Sequence, residues 1–67
     1  MEISARNQLR GTVKSVRHGA VMSEVVVDVG GQEVVSAITR SSAERLVLAV
    51  GDAVTVIVKA TEVMIGK

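Results

Sequence analysis

Three short stretches of this chain carry hydrogen-bond donors and no carboxylate. They are Ser4-Ala5-Arg6-Asn7 near the start, Thr39-Arg40-Ser41-Ser42 in the middle, and Lys59 within IVKAT near the end. Arg, Lys and Asn donate, and Ser and Thr hydroxyls can donate as well. Donors and cations without acids are the complement of an oxyanion. A helix starting at the Ser41-Ser42 pair would add free N–H groups and a favourable partial charge. Lys59 is the sharpest of these signals, because an ammonium flanked by Val58 and Ala60 is costly to bury without a partner. Each stretch also has a plainer reading. Ser41 can be only a helix cap, Lys59 can lie on an edge strand with its amine in water, and Arg6 can be an ordinary surface residue. Their separation along the chain leaves open whether they meet.

Other chemistries fit less well. His18 is the only imidazole, and Asp28 and Asp52 are the only Asp residues. Triads are set by geometry and not by order, but His18 precedes Gly19 at a turn, where an exposed loop histidine is the plain expectation. There is no nucleophile elbow and no P-loop, so the expectation is a protein that is not an enzyme. With no Cys and one His, disulfides and a multi-His zinc site within one chain are excluded. Single-strand nucleic-acid binders stack bases on aromatic rings. This chain has no Phe, Trp or Tyr, and its net charge is only +1, so no nucleic-acid partner is expected. No segment approaches the roughly 18 apolar residues of a membrane span. Glu2 and polar neighbours replace the basic-then-apolar order of a signal peptide. The expected compartment is the cytoplasm, with no membrane partner.

The elements that position these residues follow a period of two. Leu9, Gly11, Val13 and Ser15 alternate with Arg10, Thr12, Lys14 and Val16, which predicts a half-buried strand. After the break at His18-Gly19, Val21 to Val29 forms a second strand with Val21, Ser23, Val25, Val27 and Val29 on one face. Gly30-Gly31 predicts a tight hairpin, since paired glycines accept positive φ. Glu33 to Thr39 is the return strand. Ser41-Ser42-Ala43-Glu44 fits a capping box opening a short helix, and Gly51-Asp52 is a further turn. Ala53 to Ala60 is the fourth strand and Glu62 to Ile65 a short fifth. Five strands with one short helix between the third and fourth suit an all-β, five-stranded Greek-key barrel of the oligonucleotide/oligosaccharide-binding (OB) type. An antiparallel meander is the alternative.

The 67 residues predict a single domain, 1–67. A chain this short buries only about 60% of the surface its unfolded form exposes and usually needs further support. The hydrophobic fraction is 48% without one aromatic residue, and Val is the commonest residue. With disulfides and metals excluded, self-association is the expected support, with part of the Val surface facing another copy.

ISARNQLRGTV, SAITRSSAERLVL and VTVIVKATEVMIG together resemble the molbindins, the free-standing Mop or TOBE-type domains that bind molybdate. The similarity spans essentially the whole chain, and SARN, AIT with Ser42 three residues on, and KAT carry it. The resemblance implies an OB-type barrel and a homohexamer built as a trimer of dimers with strand exchange inside each dimer. It also implies reversible binding of molybdate or tungstate for storage or homeostasis, without a cofactor or a direct protein–metal bond. A sensor or interaction module read by a partner protein is the alternative. Carried over, the anion pocket would use Ser4, Ala5, Arg6, Asn7, Thr39, Ser42, Lys59 and Ala60, drawn from more than one chain. A second anion site at a trimer axis would be lined by Gly19, Ala20, Val21, Met22 and Ser23 through backbone N–H groups.

Overall fold

β1, Asn7–His18, is the strand on which the rest of the molecule is assembled. In this computed structural model, which describes residues 1–67, β1 pairs antiparallel with β2 (Met22–Val29) along its second half. Along its first half it pairs antiparallel with β4 (Ala53–Val58). β3 (Gln32–Thr39) lies beyond β2, so the sheet runs β3-β2-β1-β4. The helix α1 (Arg40–Arg45) follows β3 directly, and a 3-10 turn at Ala60–Glu62 follows β4.

Alternation places Val13, Val25 and Val27 at the centre of a small core, with Val16, Ile38, Leu48, Val54 and Val56 packed around them. The second strand faces as its pattern predicts. The first does not. Val13 pairs with Val27 but Ser15 pairs with Val26, so one extra residue is inserted at Lys14. This β-bulge reverses the phase of the side chains. Val16 therefore turns toward the core and Ser15 outward, the opposite of strict alternation. The Lys14 ammonium reaches Glu33 Oε2 at 2.6 Å across the surface. That hydrogen bond and the charge of Glu33 raise the lysine pKa.

Gly30 and Gly31 have φ of +58° and +88° and join Val29 to Gln32 in a two-residue turn, as their pairing predicts. Gly11 serves a different need. A Cβ there would sit 2.6 Å from both Asp28 O and Val27 Cγ1, so β1 and β2 approach closely only because Gly11 has no side chain.

Three expectations are corrected. The cap of α1 is Thr39, whose Oγ1 accepts from Ser42 N, and not a Ser41–Glu44 box. Glu44 instead pairs with Arg40 at 2.7 Å. The fourth strand ends at Val58, so Lys59 is exposed beyond the sheet and does not interrupt a buried run. The barrel's fifth strand is absent from the sheet: Ala60–Glu62 coils into a 3-10 turn, and Val63 to Ile65 find no strand of their own chain to pair with. What forms is an open, four-stranded antiparallel sheet with one short helix.

The open side is lined by Val25, Val27, Ile38, Leu46, Leu48 and Val54, among others. Only 5 of 67 residues are buried. The chain exposes 5444 Å², whereas a folded monomer of 7.0 kDa exposes about 4,000 Å² on the usual scaling.

Candidate functional site

The donor segments fall into two groups, one at each end of β1. At its first residue, Asn7 pairs with Val58. Beyond that last rung the chain continues as Ala5-Arg6 on one side and Lys59-Ala60 on the other, so the four residues flank the same end of the ladder. Both cations are exposed, and neither has a carboxylate partner, because the chain's ion pairs are Lys14–Glu33 and Arg40–Glu44. Unpaired cations at one end of a strand pair raise the local positive potential, and an anion there is attracted to it. Ser4 lies in the bend before β1, and Gln8 Nε2 donates to Ala5 O at 2.7 Å, holding that bend against the strand. Ala60 opens the 3-10 turn, whose own bonds run from Glu62 N to Lys59 O and from Val63 N to Ala60 O, leaving the Ala60 N–H outside it.

The second group is the corner where β3 becomes α1. Thr39 ends the strand with extended dihedrals, φ −66° and ψ 147°. Its Oγ1 accepts from Ser42 N at 3.1 Å and donates to Ser42 Oγ at 2.8 Å. Ser41 Oγ lies 3.3 Å from Thr39 Oγ1, and Arg45 Nη2 donates to Ser42 Oγ at 3.2 Å. The corner is fastened to the β1–β2 hairpin by Arg40, whose N–H donates to Val21 O and whose Nη1 donates to Gly19 O. That hairpin leaves β1 at His18, its last residue. The two groups thus sit at opposite ends of a twelve-residue strand, and no hydrogen bond joins them. One chain places Ser4 to Asn7 and Lys59-Ala60 at the same end of β1, and joins Thr39 to Ser42 by hydrogen bonds at the other, but does not unite the two sets.

The segment Gly19 to Ser23 forms the tip and first residues of that hairpin. Gly19 N donates to Met22 O at 2.7 Å and so is occupied, while the N–H groups of Ala20 and Val21 donate to no backbone carbonyl. The Ser23 side chain is buried, with its Oγ 2.7 Å from His18 Nδ1. No carboxylate joins that pair: Asp28 Oδ1 accepts from Gly31 N, and Asp52 Oδ2 accepts from Ala49 N. Both acids brace turns, and the Ser-His-Asp arrangement does not form. No group of His, Asp or Glu side chains is placed to hold a metal ion, and no helix is long and apolar enough to cross a membrane.

Arg45 belongs to this corner through Ser42, although its residue type alone does not mark it. Its signal is spacing alone: three residues beyond Ser42, it lies on the same face of a helix. Thr39 as the cap had a comparable signal, an alternating strand that stops at a hydroxyl residue just before a helix.

The chain as a whole is similar to known proteins. The family model for the TOBE domain matches residues 3–65. The molybdenum-pterin-binding protein 3 of Clostridium pasteurianum is 47% identical over 66 residues, covering 97% of each chain. The high-resolution structure of a molybdate binding protein from Sporomusa ovata superposes with a TM-score of 0.95 at 49% identity, over 100% of both chains. ModG, a cytoplasmic molybdate-binding protein solved with molybdate bound, matches with a TM-score of 0.85 at 44% identity, over 90% of this chain and 43% of its own.

Proposed function

The chain belongs to the TOBE-domain family, and from that premise we propose that it binds molybdate reversibly, as a storage or buffering protein of the cytoplasm. The observation that carries this reading is its full-length likeness in fold to a molybdate-binding protein. The chemistry of the donor groups agrees. Molybdate is a tetrahedral dianion, and converging charge-assisted hydrogen bonds hold such an ion without any metal–protein bond. Arg6 and Lys59 supply charge, Ser4 and Ser42 supply hydroxyls, and Ala5 and Ala60 supply backbone N–H groups. Asn7 fixes the first segment at the head of β1, and Thr39 fixes Ser42. Tungstate, nearly the same size, binds alongside molybdate, while sulfate is disfavoured by its smaller radius. Nothing in this reading calls for a cofactor or for a reaction.

The same reading makes the pocket a joint one. Its two halves lie at opposite ends of β1, so a complete set of donors requires the first half of one copy beside the corner of another. The exposed surface exceeds that of a typical monomer of this mass by about 1,400 Å², more than the ~800 Å² per partner of a standard interface. Val63 to Ile65, exposed and unpaired, supply the exchanged strand that completes a five-stranded barrel on a neighbour. A homohexamer arranged as a trimer of dimers satisfies both demands, and Ala20 and Val21 then present free N–H groups for the second anion site.

Isothermal titration calorimetry with molybdate, with sulfate as control, tests the reading. Molybdate is expected to bind tightly and sulfate weakly, in a stoichiometry set by shared sites. Equal binding of the two anions, or none of either, overturns it. Native mass spectrometry is expected to show a hexamer, and a monomer alone would remove the joint pocket.

A further inference from the structure

We propose that Arg45 is a positioning and specificity-determining residue: it holds Ser42 as an obligate donor, so that the site accepts fully deprotonated oxyanions and rejects protonated ones. The assignment rests on the molybdate reading of Ser42 and goes beyond it.

The argument is an inventory of hydroxyl protons. Thr39 has one, and it goes to Ser42 Oγ at 2.8 Å. Since Thr39 has no second proton, the Ser41–Thr39 contact at 3.3 Å is a bond donated by Ser41. Ser42 Oγ then accepts from Thr39 and, at 3.2 Å, from Arg45 Nη2. A hydroxyl oxygen has two lone pairs and one proton. Both lone pairs of Ser42 are filled, and its proton is given to no acceptor in the chain. Ser42 is the one uncommitted hydroxyl donor of the corner, at the end of a chain of hydrogen bonds that polarise one another.

Arg45 is free for this task, whereas its neighbour in the same helix is not. Arg40 is taken up by Glu44 and by Gly19 O, and no acid pairs with Arg45. The guanidinium does not itself meet the anion; it acts on the Ser42 oxygen. Were that second lone pair empty, Ser42 could accept a hydrogen bond from the P–OH group of an anion such as hydrogen phosphate. With it filled, a P–OH group at this position faces only donors, and a bond is lost. Molybdate and sulfate carry no such proton and lose nothing.

The test is titration of the full chain with molybdate, sulfate and phosphate, at a pH where phosphate is the hydrogen phosphate dianion. The variants are Arg45→Met, Arg45→Lys, Ser42→Ala and the double variant Arg45→Met/Ser42→Ala. Arg45 is exposed, and unchanged thermal unfolding without anion is the check that each variant folds. Arg45→Met is expected to weaken molybdate binding about tenfold, the scale of a charged hydrogen bond. It should weaken hydrogen phosphate less, narrowing the molybdate-to-phosphate ratio while leaving molybdate-to-sulfate unchanged. Arg45→Lys should restore most of the loss, and Arg45→Met should add little on top of Ser42→Ala. Equal losses for all three anions, or a full further loss in the double variant, would reduce Arg45 to a distant charge and overturn the proposal. Unchanged molybdate affinity in Arg45→Met would overturn it while the molybdate reading stands. A wild-type chain that binds no molybdate would sink that reading and this assignment with it.

Discussion

The two ends of β1 solve the same chemical problem in different ways. At the Asn7 end, Arg6 and Lys59 are exposed and without an ion-pair partner, and they lie just beyond the last rung of the β1–β4 ladder. At the His18 end, Thr39, Ser41, Ser42 and Arg45 already form a closed hydrogen-bonded group, tied to the hairpin by Arg40. The first end provides charge without order, and the second provides order with one cation to spare. Charge attracts an anion from a distance, while preorganised donors set which anion stays. On the proposed function an anion site needs both, and a single copy of this chain keeps them at opposite ends of β1.

The comparison can be broken by removing charge at one end or order at the other. Lys59→Ala is expected to have the largest effect, weakening molybdate binding about ten- to hundredfold by calorimetry, since a desolvated charge-assisted bond is worth roughly 1.5–3 kcal/mol. Thr39→Val comes next. It removes the helix cap, lowering stability to urea by about 1 kcal/mol, and it frees the Ser42 hydroxyl to rotate, so affinity falls as well. Val47→Gly sharpens the picture from the opposite direction. Val47 holds φ +52° just past α1, where Val47 N donates to Glu44 O and Leu48 N to Ala43 O, a helix end usually completed by glycine. Relieving a β-branched residue of that conformation should raise stability in urea unfolding by about 1 kcal/mol, with anion affinity unchanged. Arg10→Ala is the smallest. Arg10 is an exposed cation of β1 facing Thr55 across the ladder, and its loss should alter affinity by less than about twofold, within the range of screened surface charge. Equal losses for Arg10 and Lys59 would show that net charge, and not the Asn7 end, draws the anion.

Legibility in the sequence follows the range of each interaction. Gly30-Gly31 was readable because the positive φ of a two-residue turn is a local demand, and Val25 and Val27 because alternation reports burial directly. The bulge at Lys14 was not, since period two presumes an unbroken ladder and the extra residue exists only relative to β2. Glu62 to Ile65 has the composition of a strand, but β-propensity describes fit to a pleated, half-buried surface and does not supply a neighbour. The apolar flanks of Lys59 suggest a burial it does not have, because β4 ends at Val58, while its lack of an ion-pair partner is seen in the structure. The donor types were legible from their residues. Their division between the two ends of β1 was not, because it depends on which strands pair.

The order of the strands also dictates an order in time. β1, β2 and β3 are neighbours in sequence and close through short turns, whereas β4 reaches β1 only after the chain has passed through β2, β3 and α1. Closing that longer loop is slower and entropically dearer than zipping a hairpin, so the β1–β4 ladder is the last to form and the first to fray. Asn7 and Val58 stand at its outermost rung, one residue from Lys59. In native-state hydrogen exchange the amides of this ladder should open before those of the β2–β3 hairpin, and an anion gripped there would slow their opening. The end of the molecule richest in unpaired charge is thus also the one whose shape is settled last.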